Sequence, residues 1–338
     1  MTESCAPQHR AVLAPDLAPG LAPDLHGRRP EPGPISVLPR SEDAFAAAVE
    51  AAGGTLVPLS TGTRGLIWLS SERAGELNGV LAANPQIGWV QLPWAGVDAF
   101  TSILDAPANR HVLWTSAKGA YAQPVAEHAL ALILATLRVL PRRARATSWD
   151  DVPAGRSLYG RRVVIVGAGG IALELLRLLE PFGVHTTIVR RSAQPVRRAD
   201  RTVTAAALVE VLPDAEVLVI AAALTGETRH LIGADELAVL GADAVVVNIA
   251  RGGLIDTDAL VAALAAGTIA GAALDVTDPE PLPDGHPLWT EPRCLITPHM
   301  ADTPEMTTAL LAERIRVNVR AFLENSRFVG VVDPRAGY

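Results

Sequence analysis

Short apolar runs recur along the chain, each bounded by turn residues and separated by stretches with helical spacing. In the first third the runs at 35–38, 55–58, 66–69, 88–92 and 111–114 predict strands, with helices near 42–52, 72–83 and 98–105. That alternation implies a parallel sheet covered by helices. Residues 123–140, QPVAEHALALILATLRVL, read as one strongly apolar helix. A second series of runs follows: RVVIVG, HTTIVR, EVLVIA, AVVVNIA, AGAALDV and RCLIT. After His299 an amphipathic helix near 304–325 and a final short strand close the chain. With no sheet of its own, this tail is expected to pack back on the first domain. The expected fold class is α/β, with two doubly wound parallel-sheet domains, the second inserted into the first. The outer domain takes 34–118 and 302–338, the inner one 119–301, and the chain crosses near 115–122 and 298–303. A cleft between such domains is the default ligand site.

Composition narrows the class. At 338 residues with 49% hydrophobic and 19% charged residues, two globular domains fit. Residues 1–33 differ: they are rich in Ala, Pro, Asp and Gly, carry a four-residue beat (LAPDLAPGLAPDL), and predict a flexible leader. The net charge of −7 disfavours a nucleic-acid surface and a polybasic membrane patch. No apolar run approaches the ~20 residues that span a bilayer, and the N-terminus lacks a signal-peptide layout. Two cysteines, Cys5 and Cys294, make neither a disulfide framework nor a metal site. A soluble protein of a reducing, cytoplasmic compartment, with no metal site, is expected. Of 29 basic residues only Lys118 is lysine, so arginine clusters must be weighed against that background.

Within VVIVGAGGIALELL the pattern Gly167-Ala-Gly169-Gly170-Ile171-Ala172 stands between a predicted strand and a predicted helix. Glycines there permit a tight turn and let backbone N–H groups and a helix N-terminus approach a pyrophosphate. At the head of six βα units it predicts a dinucleotide-binding domain.

The run AVVVNIARGGLID raises a separate question, because an apolar strand delivers Arg251 into two glycines. An isolated buried guanidinium is costly and cannot shed its proton. Either Arg251 lies at the surface or an anion meets it. The loops LDVTDPEPLP and ITPH follow at later strand ends. Together with WAGVD, VAEHALAL, VGAGGIA, LTGETRHLIG and VNIARGGLID, in that order, they make the chain resemble the D-isomer-specific 2-hydroxyacid dehydrogenases over nearly everything after the leader.

The resemblance implies a Rossmann-type NAD(P)-binding domain inserted into a flavodoxin-like substrate domain, and a homodimer. It implies reduction of a small 2-oxo acid, such as glyoxylate or hydroxypyruvate, to the D-2-hydroxy acid. Arg251 would clamp the carboxylate and carbonyl, and His299 oriented by Glu280 would donate the proton. The chemistry asks for these types: charge develops on the carbonyl oxygen, imidazole titrates in a useful range, and guanidinium binds carboxylate by paired bonds. Ala95 and Gly96 would hold the carboxylate through backbone N–H groups, with Trp94 lining the pocket. Asp275 would meet the nicotinamide carboxamide, and Thr225, Ile249 and Ala250 would complete the cofactor site. Glu127–His128, inside an apolar helix, reads as a structural pair.

Cofactor preference follows from position. An acid about 20 residues into the motif bonds the ribose 2′-OH in NAD-preferring domains. Counting 18 on from Ala172 reaches Arg190, with Arg191 and Ser192 beside it and no acid. NADP(H) is therefore expected over NAD(H). Asp302 stands where relatives usually carry a small residue, which leaves substrate identity open. Phosphoglycerate dehydrogenase and a dinucleotide-sensing, corepressor-like binding protein remain alternatives.

Overall fold

The structure is a computed structural model that describes residues 29–149, 151–324 and 326–333. The leader lies outside the described residues through residue 28, as does Cys5. The chain divides into two compact units. The described residues of Met1–Tyr121 and Pro304–Tyr338 form the first, and those of Ala122–Thr303 the second.

The first unit holds a parallel sheet of four strands, β1 Ile35–Leu38, β2 Gly65–Trp68, β3 Trp89–Gln91 and β4 Leu113–Thr115, in that spatial order. The strand expected at 55–58 is reduced to a single parallel bridge, Ile35 to Leu56. Ile35 N–H donates to Thr55 O and Val57 N–H to Ile35 O. The ladder stops there, and Val57 O accepts from Ser36 Oγ–H at 3.0 Å. This segment lies outside β1, so the chain follows the 2-1-3-4-5 order of a flavodoxin-like domain. The final strand is likewise one antiparallel bridge, Thr115 to Val331. The helix expected at 98–105 is a 3₁₀ turn, Asp98–Phe100, continued by one α-turn, Thr101–Leu104.

The C-terminal helix, Pro304–Glu324, belongs to this unit and buries Leu310, Leu311, Ile315, Val319 and Phe322. The Phe322 ring lies 5.0 Å from Trp89 of β3. Buried amides stitch helix to sheet as well. Asn318 Nδ2–H donates to Gln91 Oε1 at 2.7 Å, and the same oxygen accepts from Thr115 Oγ1 at 2.8 Å. Trp89 Nε1–H closes the chain on Thr115 Oγ1 at 2.9 Å. Gln91, Thr115, Asn318 and the Trp89 indole each find a partner, as burial requires.

The second unit carries seven parallel strands: β5 Arg162–Val166, β6 His185–Arg190, β7 Arg201–Thr204, β8 Val217–Ile220, β9 Val245–Asn248, β10 Gly271–Leu274 and β11 Cys294–Ile296. Their order is β11-β10-β9-β8-β5-β6-β7. The sequence reading counts six and misses β7. Its four residues, RTVT, bury only Val203, so this edge strand has almost no apolar signal. The run of valines and isoleucines in β5, β8 and β9 reflects burial on both faces, as parallel sheets demand. The apolar helix Ala122–Leu137 packs its buried residues within this unit, chiefly on the helix Gly170–Leu179. No helix among the described residues is long and apolar enough to cross a membrane.

Phe322 gives the first testable consequence. Phe322→Ala should cost about 3–5 kcal/mol of first-unit stability, seen as a lower denaturant midpoint at unchanged slope. A loss below about 1 kcal/mol would contradict core packing of the C-terminal helix on β3.

Candidate active site

The register of β9, β10 and β11 explains how distant residues meet. Leu274 pairs with Asn248 on one side and Ile296 on the other, so the three strands end level. The residues that follow are Ile249–Arg251, Asp275 and Thr297–His299. Hydrogen bonds lock the steps just beyond: Asp275 N–H to Asn248 O, Thr297 N–H to Leu274 O, and His299 N–H to Asp275 O at 2.7 Å.

Arg251 opens a 3₁₀ turn, Gly252–Leu254. Its Nη1–H donates to Ala250 O at 2.7 Å. Asn248, buried, sets the loop: its Nδ2–H donates to Arg251 O and its Oδ1 accepts from Ala250 N–H. Ile249 and Ala250 are buried beside it. The glycine after Arg251 is required by contact, because a Cβ on Gly252 would overlap the Thr277–Asp278 peptide. That contact presses the Arg251 loop against the loop carrying Glu280. Thr257 Oγ1–H to Asp278 O and the ion pair of Arg229 with Asp278, at 3.2 Å, hold the same loop.

His299 adopts φ +53°, left-handed backbone that a non-glycine residue occupies at a cost of about 1–2 kcal/mol. Such strain clusters at functional positions. Its imidazole lies 2.6 Å, Nδ1 to Oε1, from Glu280. The bond engages Nδ1, so Nε2 is the ring nitrogen that faces away from Glu280. The imidazole side chain is about half exposed, at 49%.

Beneath His299 lies Asp275, only 2% exposed. Its Oδ1 accepts from Thr297 Oγ1–H at 2.6 Å and Met300 N–H at 3.0 Å, and its Oδ2 from Ala301 N–H at 3.2 Å. His128 Nε2 approaches Oδ1 at 3.4 Å and Thr297 Oγ1 at 3.0 Å. Burial pushes the Asp275 carboxyl pKa up, but hydrogen bonds from His128, Thr297 and Met300 outweigh it and hold the value below the ordinary one. Asp275 is thus engaged chiefly with the protein's own 297–301 loop. Asp302 is half-buried, and burial raises its carboxyl pKa, opposed by His299 and assisted by Asp275.

The glycine loop sits at the reversal of strand order, where β5 lies between β6 and β8. Gly167 has φ +115°, and a Cβ there would overlap the Ala221 carbonyl at the end of β8. Gly169 caps the helix Gly170–Leu179, with Ile171 in its first turn, and a Cβ on Gly169 would meet nothing within 4 Å. An open backbone cradle at a helix N-terminus fits a pyrophosphate. Arg190 ends β6, half-buried, with Arg191 exposed and Ser192 half-buried in the turn beyond. Thr225 lies past β8, where its N–H donates to Thr228 Oγ1 at 2.7 Å.

In the first unit Trp94, Ala95 and Gly96 follow β3. Trp94 is 42% exposed, with its ring edge-on to Tyr121 at 6.0 Å. Ala95 and Gly96 are half-buried, and among the described residues no acceptor meets their N–H groups. His128 is the satisfied structural group that its apolar helix predicts, and its partners are Thr297 and Asp275. Asn248 drew attention only as part of a motif. No single-residue signal marks the His128 partners, which lie at the ends of other strands. No group of three or more potential metal ligands occurs among the described residues.

Comparison with known proteins agrees with this geometry. A family model described as D-isomer specific 2-hydroxyacid dehydrogenase, NAD binding domain, matches residues 130–301. The chain is 42% identical over 257 residues to an uncharacterized protein in the proB 3′ region of Corynebacterium melassecola, covering 75% of this chain and 84% of that one. It is 31% identical over 255 residues to glyoxylate reductase/hydroxypyruvate reductase of Mus musculus, covering 73% and 76%. D-3-phosphoglycerate dehydrogenase of Mycobacterium tuberculosis matches at 31% identity, but the chain spans only 46% of its length. Among solved structures, a D-isomer specific 2-hydroxyacid dehydrogenase from Xanthobacter autotrophicus, in complex with NADPH and MES, superposes with TM-score 0.77 at 28% identity. The match covers 91% of this chain and all of that one.

Asp275 titrates in the direction that makes folding acid-sensitive. Its folded pKa lies below the unfolded value of about 3.9, so its stabilisation is present above that pH and lost as pH falls through the folded value. Asp275→Asn should lower stability at neutral pH by about 1–3 kcal/mol and flatten the stability profile below about pH 4. An unchanged acid limb would show that the carboxylate is not ionised in the folded protein.

Proposed function

The chain belongs to the D-isomer specific 2-hydroxyacid dehydrogenase family of oxidoreductases, and from that premise we propose that it reduces a small 2-oxo acid, of the glyoxylate or hydroxypyruvate kind, to the D-2-hydroxy acid. The observation that carries this reading is the His299–Glu280 bond at 2.6 Å, on a strained residue at the strand end neighbouring that of Asp275. With Nδ1–H committed to Glu280, Nε2–H delivers the proton to the substrate carbonyl oxygen. Glu280 orients the ring and stabilises it as it charges.

Arg251 binds the substrate carboxylate through its planar fork and stabilises negative charge as it grows on the carbonyl oxygen. Backbone N–H groups of Ala95 and Gly96 hold the carboxylate, and Trp94 bounds the space for the third carbon. Asn248 and the Gly252 contact keep the Arg251 and Glu280 loops in fixed relation, so the clamp and the orienting carboxylate need no rearrangement.

The nicotinamide cofactor, when bound, supplies the hydride. Gly167, Gly169, Gly170 and Ile171 would hold its pyrophosphate, with Thr225, Ile249 and Ala250 lining the same strand ends. Asp275 would hold the 297–301 loop against the nicotinamide end. Arg190, with Arg191 and Ser192, favours NADPH: an arginine gives a 2′-OH no acceptor but pairs with a 2′-phosphate by charge-assisted bonds. The bound NADPH of the Xanthobacter autotrophicus relative supports this preference.

The decisive experiment is turnover of glyoxylate and hydroxypyruvate with each reduced cofactor. Arg251→Lys keeps the charge but loses the fork, so KM for the oxo acid should rise and kcat fall, together about 100-fold in kcat/KM. Unchanged kcat/KM would remove Arg251 from the site. For the cofactor, the parent should favour NADPH in kcat/KM, and Arg190→Asp should shift preference toward NADH by about tenfold or more. Equal or better use of NADH by the parent would sink the assignment.

A further inference from the structure

Among the described residues the most deeply buried charge has no counter-charge. Arg314, on the C-terminal helix, is fully buried, and no carboxylate lies within ion-pair distance among the described residues. Burial lowers its pKa to about 10, opposed by Tyr121, so the guanidinium stays charged at neutral pH. Nη1–H donates to Ser116 O at 2.8 Å and Nη2–H to Lys118 O at 3.0 Å, while Nε meets no partner. Burying a cation against carbonyls alone is expensive, and an apolar side chain of similar size would cost less. What the guanidinium holds must therefore matter.

The gripped segment leads straight to the loop after β3. Ala117 N–H donates to Trp94 O at 3.0 Å, and Tyr121 O–H to Pro93 O at 2.7 Å. Ser116 C=O and Ala117 N–H belong to one planar trans peptide, with oxygen and hydrogen on opposite sides. Arg314 takes the oxygen end and Trp94 the hydrogen end. Rotating that peptide would break both bonds at once. A cation on the oxygen also polarises the peptide and strengthens its N–H as a donor. Lys118 O, the second carbonyl, fixes the next turn of chain, from which Tyr121 reaches back to Pro93.

We propose that Arg314 is a positioning residue for the substrate loop 93–96: it orients the Ser116–Ala117 peptide, which holds Trp94 and thereby the N–H groups of Ala95 and Gly96. It touches no substrate and acts through this peptide alone. The proposal rests on the reading above that these N–H groups bind the oxo-acid carboxylate. Because carboxylate binding is shared by ground state and transition state, a loosened loop shows in KM for the oxo acid and spares kcat. Cofactor binding, assigned to the second unit, is spared as well.

The test uses the full chain with Arg314→Met, Arg314→Lys and Tyr121→Phe, read by steady-state kinetics and by amide hydrogen exchange. Arg314→Met should raise KM for glyoxylate about tenfold, with kcat and KM for NADPH within about threefold of the parent. Arg314→Lys, which keeps a charge able to grip one carbonyl, should raise it about threefold, as should Tyr121→Phe, which removes one loop bond. Exchange should quicken in peptides spanning 93–97 and 115–121 in the arginine variants and stay unchanged in the second unit. Should Arg314→Met fail to fold, the lysine and phenylalanine variants decide. An unchanged oxo-acid KM with unchanged exchange at 115–121, or an equal rise in KM for NADPH, would overturn the proposal. Exchange needs no turnover: a parent that reduces no oxo acid defeats the proposed function, while the exchange result still decides whether Arg314 holds the loop.

Discussion

The carboxylate of Asp275 is the interaction on which the second unit's strand ends depend. An ionised oxygen pair taken out of water is tolerable only when fully engaged, and here Thr297, Met300 and Ala301 all donate to it. Those donors lie on both sides of His299. The loop is therefore wrapped around the acid, and His299 is left at its crest with φ +53°. The strain at His299 and the burial of Asp275 are two sides of one arrangement. His128 joins it from the helix Ala122–Leu137, tying that helix to the strand ends it covers.

Close backbone approach is the second constraint, and it dictates where glycine stands. Gly167 clears the carbonyl of Ala221 across the switch in strand order, and Gly252 clears the Thr277–Asp278 peptide. The first opens the helix N-terminus to an anion. The second couples the Arg251 and Glu280 loops, which lie about 30 residues apart in sequence and belong to different βα units. One missing methyl at each place shapes the turn after β5 and the Arg251 and Glu280 loops alike.

The first unit solves a different problem. Its sheet has four short strands, and its polar stitching does much of the work of alignment. Gln91, Thr115, Asn318 and Arg314 are all buried, and apart from Arg314 Nε each finds partners within the unit. A helix held by apolar contacts alone could slide by a turn. Directional bonds from Asn318 and Arg314 to Gln91 and Ser116 set its register against β3 and the end of β4.

Much of this was legible from the chain. The apolar runs marked β1 to β4 and every strand of the second sheet except β7, and the glycine pattern marked the tight turn after β5, because burial on both faces and tight turns leave local signatures. Arg251, Glu280 and His299 stood out because their motifs follow strands in order. The runs at 55–58 and after 325 read as strands but form single bridges, because apolar content does not report how far backbone pairing runs. β7 escaped notice because an edge strand needs little apolar surface. Tertiary structure alone decided the roles of His128, Asn248 and Arg314. Each is an ordinary residue within its own element, and its meaning comes from hydrogen bonds to partners that only the level strand ends and the packed C-terminal helix bring within reach.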